Sequence, residues 1–221
     1  MFQLVDARVA TAALELDGTV VRPGTVIARV SGPARAILAG ERVALNLLGH
    51  LSGVATATRA LVDRIAGTRA RILDTRKTTP LLRLLEKQAV VAGGGLNHRM
   101  GLYDAVLIKD NHVKAAGSPA EAVRRARAKV GPEIHVEVEI ERLADLEPAI
   151  EAGADIVMLD NMPPSRMRKA VELAAGRCAL EASGGVTLAN VRRVAETGVD
   201  YISVGWITHS APALDVALDF I

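Results

Sequence analysis

The chain has 221 residues, half of them hydrophobic, which is enough to bury one substantial core and to carry a smaller domain beside it. Its 27 basic and 25 acidic residues are interspersed and leave a net charge of +2. That balance excludes nucleic acid or an anionic membrane as the default partner and makes any cationic function local. A single cysteine, Cys178, excludes an internal disulfide framework or a cysteine-based zinc site, five aromatic residues are too few for a base-stacking surface, and no window approaches the roughly 18 to 20 apolar residues of a membrane span; the expectation is a soluble protein of the reducing cytoplasm.

Taken in chain order, residues 1 to about 37 read as a small β-rich piece. VVRPG at 20–24 and VSGP at 30–33 punctuate short β-branched runs, which predicts strands over Thr19–Val21 and Thr25–Val30. From Glu41 to Ala66 the apolar residues recur at helical spacing, so one long helix is expected there, with Gly53 as its natural breaking point.

Beyond Gly67 short apolar runs end in a polar residue and lead into capped helical segments: RILD at 71–74, AVLIKD at 105–110, IHVEVEI at 134–140, DIVMLD at 155–160, ALEAS at 179–183 and YISVG at 201–205. Glu139 to Asp160, Asp160 to Ser183 and Ser183 to Gly205 are separated by 21, 23 and 22 residues, each room for one crossover helix. Thr79-Pro80 and Ser118-Pro119-Ala120-Glu121 carry helix-start signals, the second a capping box. The expectation is an α/β fold, an incomplete or irregular parallel α/β barrel with a small, partial β-rich N-terminal domain. A seventh strand would be hidden around Ala89–Leu96, and a doubly wound open sheet is the alternative the pattern leaves open.

In either architecture the C-terminal strand ends carry the chemistry. Arg76 and Lys77 leave the first such strand in DTRKTTP; alone they are equally readable as solvated loop charges. GGGLNHRMG, residues 93–101, adds His98 and Arg99 after a glycine run that lets backbone approach a ligand, and Lys109 ends the next strand. The plain alternative for Lys109 is a salt bridge to Asp110 or Asp160. Repeated Arg at strand ends, with its planar fork of donors, points to a small polyanion. Glu137 and Glu139 share a face by alternation; Glu139 lies nearer the strand end, whereas Glu137 reads as a structural salt-bridge residue. Glu139 and Asp160, two strand-end carboxylates among these cations, suit a hard divalent ion, Mg²⁺, that binds phosphate oxygens. The small residues around Ser183, Gly184 and Gly205, each before a helix start, suit a phosphate.

The series ERVALN, DTRKTTP, GGGLNHRMGLYDAVLIKDNH, EVE, LDN, EASGG and VGWITHSAPALD, in this order and spacing from about residue 20 to the C-terminus, resembles quinolinate phosphoribosyltransferase, the carboxylating nicotinate-nucleotide pyrophosphorylases. The resemblance implies an N-terminal α/β sandwich domain, here partial at 1–38, and a barrel domain at 39–221. It implies transfer of phosphoribosyl from phosphoribosyl pyrophosphate to quinolinate with loss of CO₂, in NAD biosynthesis. It assigns Arg76, His98, Arg99 and Lys109 to the quinolinate carboxylates, Lys77 to the pyrophosphate side, and Glu139 and Asp160 to the ribose hydroxyls and Mg²⁺. Ser183, Gly184, Gly205 and His209 would cradle the 5′-phosphate, and Arg42 would reach the neighbouring subunit's pocket in a homodimer with shared sites. Members carry further N-terminal elements before the point matching Met1, and Trp206 stands where a small residue or Lys is usual. Competing readings are a paralogue of the molybdate-transport-associated type, an aldolase-like barrel using Lys109 as a Schiff-base nucleophile, and a non-catalytic phosphate-binding barrel.

Overall fold

The computed structural model describes residues 1–221. The chain opens with a one-turn helix, α1 (Phe2–Val5), followed by β1 (Ala10–Ala13) and β2 (Ala28–Ser31), antiparallel and in register from Ala10 with Ser31 to Ala13 with Ala28. The strand expected over Thr19–Val21 does not form, and the one expected from Thr25 occupies only its end. Residues 14–27 instead make the connection between β1 and β2, turning at Gly18 and Gly24. Val20 and Val26, 82% and 59% exposed, have no face to bury against within the chain, so β-branching alone does not make a strand there.

Helix α2 (Ala34–Arg64) is 31 residues long and starts earlier than expected. It passes through Gly53 unbroken. The C-terminal tail lies across it so closely that a side chain at Gly53 would collide with the Pro212 carbonyl, and Leu214 N–H donates to the Gly49 carbonyl at 2.9 Å. Glycine serves here for close approach rather than as a breaker.

The βα series then follows: β3 (Arg71–Leu73), α3 (Arg83–Ala92), β4 (Val106–Ile108), α4 (Asp110–Ala116), α5 (Pro119–Arg127), β5 (Val136–Ile140), α6 (Leu146–Glu151), β6 (Ile156–Asp160), α7 (Pro164–Ala174), β7 (Ala179–Ser183), α8 (Val191–Ala195), β8 (Tyr201–Ser203) and α9 (Trp206–His209). The six strands form one parallel sheet in the order β3-β8-β7-β6-β5-β4. Pairing of the first strand with the last is the barrel order, not that of a doubly wound sheet. No seventh strand occupies 89–96: Ala89 to Ala92 end α3, and only Leu96 makes a single parallel bridge to Leu73. No ladder joins that bridge to β4, so the barrel is incomplete.

Alternation sorts the strand residues into two layers. Ile72, Ile108, Val136, Val138, Val157, Leu159, Leu180 and Ile202 belong to the main core of 33 buried apolar residues, packed against the helices. Glu137, Glu139, Asp160 and Glu181 fall on the opposite face. Among the helix starts, Ser118 Oγ accepts from Glu121 N–H at 3.2 Å with Pro119 in the first turn, while the Glu121 carboxylate turns to Arg124 and Arg125 instead of closing the box. Thr79-Pro80 starts no helix: Leu81 adopts φ +67, and α3 begins at Arg83.

Candidate active site

The exit of β3 carries Arg76 and Lys77, and the turn after α3 carries His98 and Arg99. Arg76 and Arg99 are brought together. Each has a buried Nε without a hydrogen-bond partner, and burial, then the charge of Arg76, lowers the pKa of Arg99. Two guanidinium groups converging, each with its Nε unspent, have the geometry that would suit a carboxylate-bearing ligand.

His98 makes contacts within the chain that the sequence does not announce. Its Nε2 lies 3.1 Å from Glu137 and 3.7 Å from Glu181, and its Nδ1 accepts the Arg99 backbone N–H at 2.7 Å. The reason is strand register. Glu137 and Glu181 project from β5 and β7 into the same interior, where the imidazole meets Glu137 at hydrogen-bond distance and approaches Glu181, whose two oxygens have no hydrogen-bond partner. Glu181 is fully buried, and burial together with the neighbouring Glu137 pushes its pKa up to about 8. The His98 pKa is raised: burial opposes the charged ring, but the two carboxylates outweigh it.

Lys109 pairs with neither Asp110 nor Asp160; its Nζ lies 3.3 Å from Glu139 Oε2, while Asp110 pairs with Lys114. Burial raises the Glu139 pKa, the Lys109 charge opposes that, and Asp160 adds to it. Glu139 and Asp160 are near enough to affect one another, and Lys109 is paired with Glu139 alone, so a hard divalent cation would supply the positive charge that the pair lacks. Asp160 accepts from Asn161 Nδ2 at 2.8 Å and is in register with Ser183. Asn161 holds φ +51 beside Gly184, φ +95, where a side chain would strike the Asn161 amide. Strain of this kind is maintained by surrounding structure and concentrates at functional sites.

The last strand exit completes the site. A side chain at Gly205 would meet Lys77 Cδ at 3.2 Å, His209 Nε2 at 3.5 Å and Thr75 Oγ1 at 3.5 Å. Lys77, His209 and an unobstructed backbone therefore face one small space, suited to a phosphoryl group. Arg42 alone is not brought in; it is exposed on α2 without a partner in its own chain.

Two family models cover the chain: the N-terminal domain of quinolinate phosphoribosyl transferase over residues 3–52 and its C-terminal domain over 54–219. A probable nicotinate-nucleotide pyrophosphorylase (carboxylating) of Bacillus subtilis is 50% identical over 218 residues, 99% of this chain and 75% of the relative. The Mycobacterium leprae protein of that name is 47% identical, covering 92% and 72%. Among solved structures, NadC from Streptococcus pyogenes superposes with a TM-score of 0.92 at 45% identity, covering 97% of this chain and 76% of that one.

The chain belongs to the quinolinate phosphoribosyltransferase family.

Within this quinolinate phosphoribosyltransferase fold the two family models meet inside α2, which runs through both parts. Trp206, the unusual residue, ties α9 to the loop after β7 by donating from Nε1 to the Val186 carbonyl at 3.0 Å.

Several residues that shape the site escaped the sequence reading. Helix α3 buries Glu86 and Lys87 completely and exposes Leu84 and Leu85, the reverse of an amphipathic pattern. Glu86 accepts the Thr79 N–H at 3.0 Å and pairs with His50 at 2.7 Å, Lys87 pairs with Asp74, and Arg83 donates to Thr78 Oγ1 and the Met100 carbonyl. Thr208 Oγ1 donates to the Lys77 carbonyl at 2.8 Å. The only prior signal was the length of the polar loop, which needed satisfying from somewhere.

Proposed function

We propose that the chain transfers the phosphoribosyl group of phosphoribosyl pyrophosphate to the ring nitrogen of quinolinate and releases CO₂, giving nicotinate mononucleotide and pyrophosphate. The observation that carries this reading is the convergence of Arg76 and Arg99 with unspent, buried donors next to a separate carboxylate pair and phosphate space. Family membership at this identity and coverage supports the same reaction.

Arg76, Arg99 and Lys109 receive the two carboxylates and aim the ring nitrogen at the ribose carbon. Lys77, Gly205 and His209, with Ser183 and Gly184, hold phosphate groups. Glu139 and Asp160 face the ribose hydroxyls and would bind Mg²⁺, which supplies charge neutralisation to the departing pyrophosphate. As the C–N bond forms, the C–O bond to pyrophosphate breaks, a step served by alignment and by cations at the leaving group. The ribosylated nitrogen is then positive, so the electron pair left when CO₂ departs from the adjacent carbon is stabilised in place until protonated. Little acid–base machinery is required, which fits a site rich in fixed charge.

The active assembly in this reading is a homodimer with shared sites. Leu16 and Val20 of the N-terminal part, and Leu38 and Val43 flanking Arg42 on α2, are exposed apolar groups suited to a subunit contact. The half-buried Cys178, its pKa pushed up to about 11 chiefly by burial, fits a cytoplasmic setting.

Release of labelled CO₂ from carboxyl-labelled quinolinate tests the reaction: it is expected only with phosphoribosyl pyrophosphate and Mg²⁺ together, and its absence in a folded protein refutes the assignment. Mixing the inactive variants Arg42→Ala and Arg99→Ala tests shared sites. Subunit exchange should restore up to about a quarter of the sites, because half the dimers are mixed and one of their two sites is intact; no recovery refutes sharing.

A further inference from the structure

Arg76 and Arg99 repel each other, yet both lie on loops, where nothing in the sheet register holds them. What joins the loops is beneath the site. Asp74, buried at the exit of β3 two residues before Arg76, accepts the His98 backbone N–H at 2.9 Å on Oδ1. Lys87 of α3, with no exposed surface, donates to the same Asp74 oxygen and to the His98 carbonyl, the latter at 2.8 Å. The Asn97 amide, oriented to donate, reaches the Lys87 carbonyl at 2.9 Å and Asp74 Oδ2 at 2.6 Å. Both backbone groups of His98 are thus gripped by one ion pair, and Arg99 follows directly.

We propose that Lys87 is a positioning residue for quinolinate binding: with Asp74 it clamps the His98 backbone and so keeps the Arg76 and Arg99 guanidinium groups converged on the dicarboxylate. The assignment rests on the transferase reading for the ligand, but the clamp itself is geometric. An ion pair sealed from water is weak support for stability, because hydrophobic replacement of both partners is often neutral. Its distinguishing feature here is what it grips. Lys87 itself is buried and touches no position where substrate would lie, whereas Lys77 and Lys109 do the contacting.

Removing Lys87 alone strands the Asp74 charge, so the informative variants change both partners. Asp74→Asn with Lys87→Met removes the charges and the donation to His98. Asp74→Asn with Lys87→Gln removes the charges but keeps a donor. Calorimetric titration of each full-length variant with quinolinate, and separately with phosphoribosyl pyrophosphate and Mg²⁺, reads the outcome. The Met pair is expected to weaken quinolinate at least about 10-fold and phosphoribosyl pyrophosphate less than about twofold, with the Gln pair recovering quinolinate affinity to within about threefold. If the pairs do not fold, Asn97→Ala, at an exposed position, cuts the same network from outside and should weaken quinolinate about threefold with phosphoribosyl pyrophosphate unchanged. Quinolinate affinity unchanged in folded variants, or equal losses for both ligands, overturns the positioning role. A wild-type chain that binds no quinolinate overturns the transferase reading instead; amide exchange at His98 and Arg99, expected to speed up in the Met pair while β5 to β8 stay protected, then still decides whether the clamp exists.

Discussion

On the β5 to β8 side of the site, Glu139, Asp160 and Ser183 take their places from strand register: Glu139 pairs across to Met158, Met158 to Glu181, and Asp160 to Ser183. On the β3 side, Arg76 and Arg99 hang from loops that hydrogen-bond to Arg83 and buried Glu86 of α3 and to the buried pair of Asp74, at the β3 exit, with Lys87 of α3. A sheet positions side chains with hydrogen bonds it must make in any case, whereas a loop carrying like charges needs its own buried partners. The two sides therefore fail differently when mutated.

The largest expected effect breaks the loop side. Arg99→Ala should cost about 2 to 5 kcal/mol of quinolinate binding, because a desolvated carboxylate loses its fork of donors, and should leave phosphoribosyl pyrophosphate binding nearly unchanged in calorimetry. Next, Asp160→Asn keeps the strand end and its shape but removes charge from the cation site. Turnover should fall about 10²-fold with little change in quinolinate affinity, measured by steady-state kinetics over a Mg²⁺ series. Were both variants to weaken both substrates alike, the division between the sides would be wrong.

A smaller effect concerns the interior beneath both. Glu181, His98, Asp74 and Glu139 all have raised pKa values in the folded protein, so the native state holds protons that the unfolded chain releases. For Glu181 the stability is complete below its unfolded value of 4.5 and is lost as pH rises through about 8. Glu181→Gln, which cannot ionise, should flatten the decline in denaturant stability between pH 5 and 9 by at most about 1.4 kcal/mol per pH unit. An unchanged slope would mean that Glu181 is ionised throughout. The smallest effect is Leu84→Ser on the exposed face of α3, expected to change stability by less than about 0.5 kcal/mol. A larger loss would show that this inverted helix face is covered.

The sequence was most legible where periodicity and position coincide. All six βα strands lie where the apolar runs place them, and the strand-end residues Lys109, Glu139, Asp160 and Ser183 fall at or beside their ends. Thr19–Val21 and Ala89–Ala92 were not legible, since short apolar runs serve loop, helix or strand according to what covers them. The inner contacts of His98 were not legible for a related reason: histidine next to arginine in a glycine-rich turn gives no sign that two strands will present carboxylates to it from below.

By itself the sequence determined the parallel α/β repeat and the gathering of cations at the strand exits, which follow from local pattern and residue chemistry, and by its resemblance to a known motif series it pointed to the family. Only the tertiary structure decided that the barrel stays open beside β4, that Glu137 and Glu181 converge on His98, and that Lys87 lies inside a helix whose Leu84 and Leu85 face out. Those outcomes depend on which groups meet across long stretches of chain, and the cost of leaving a buried charge or backbone group unpaired is settled only once the partners are in place.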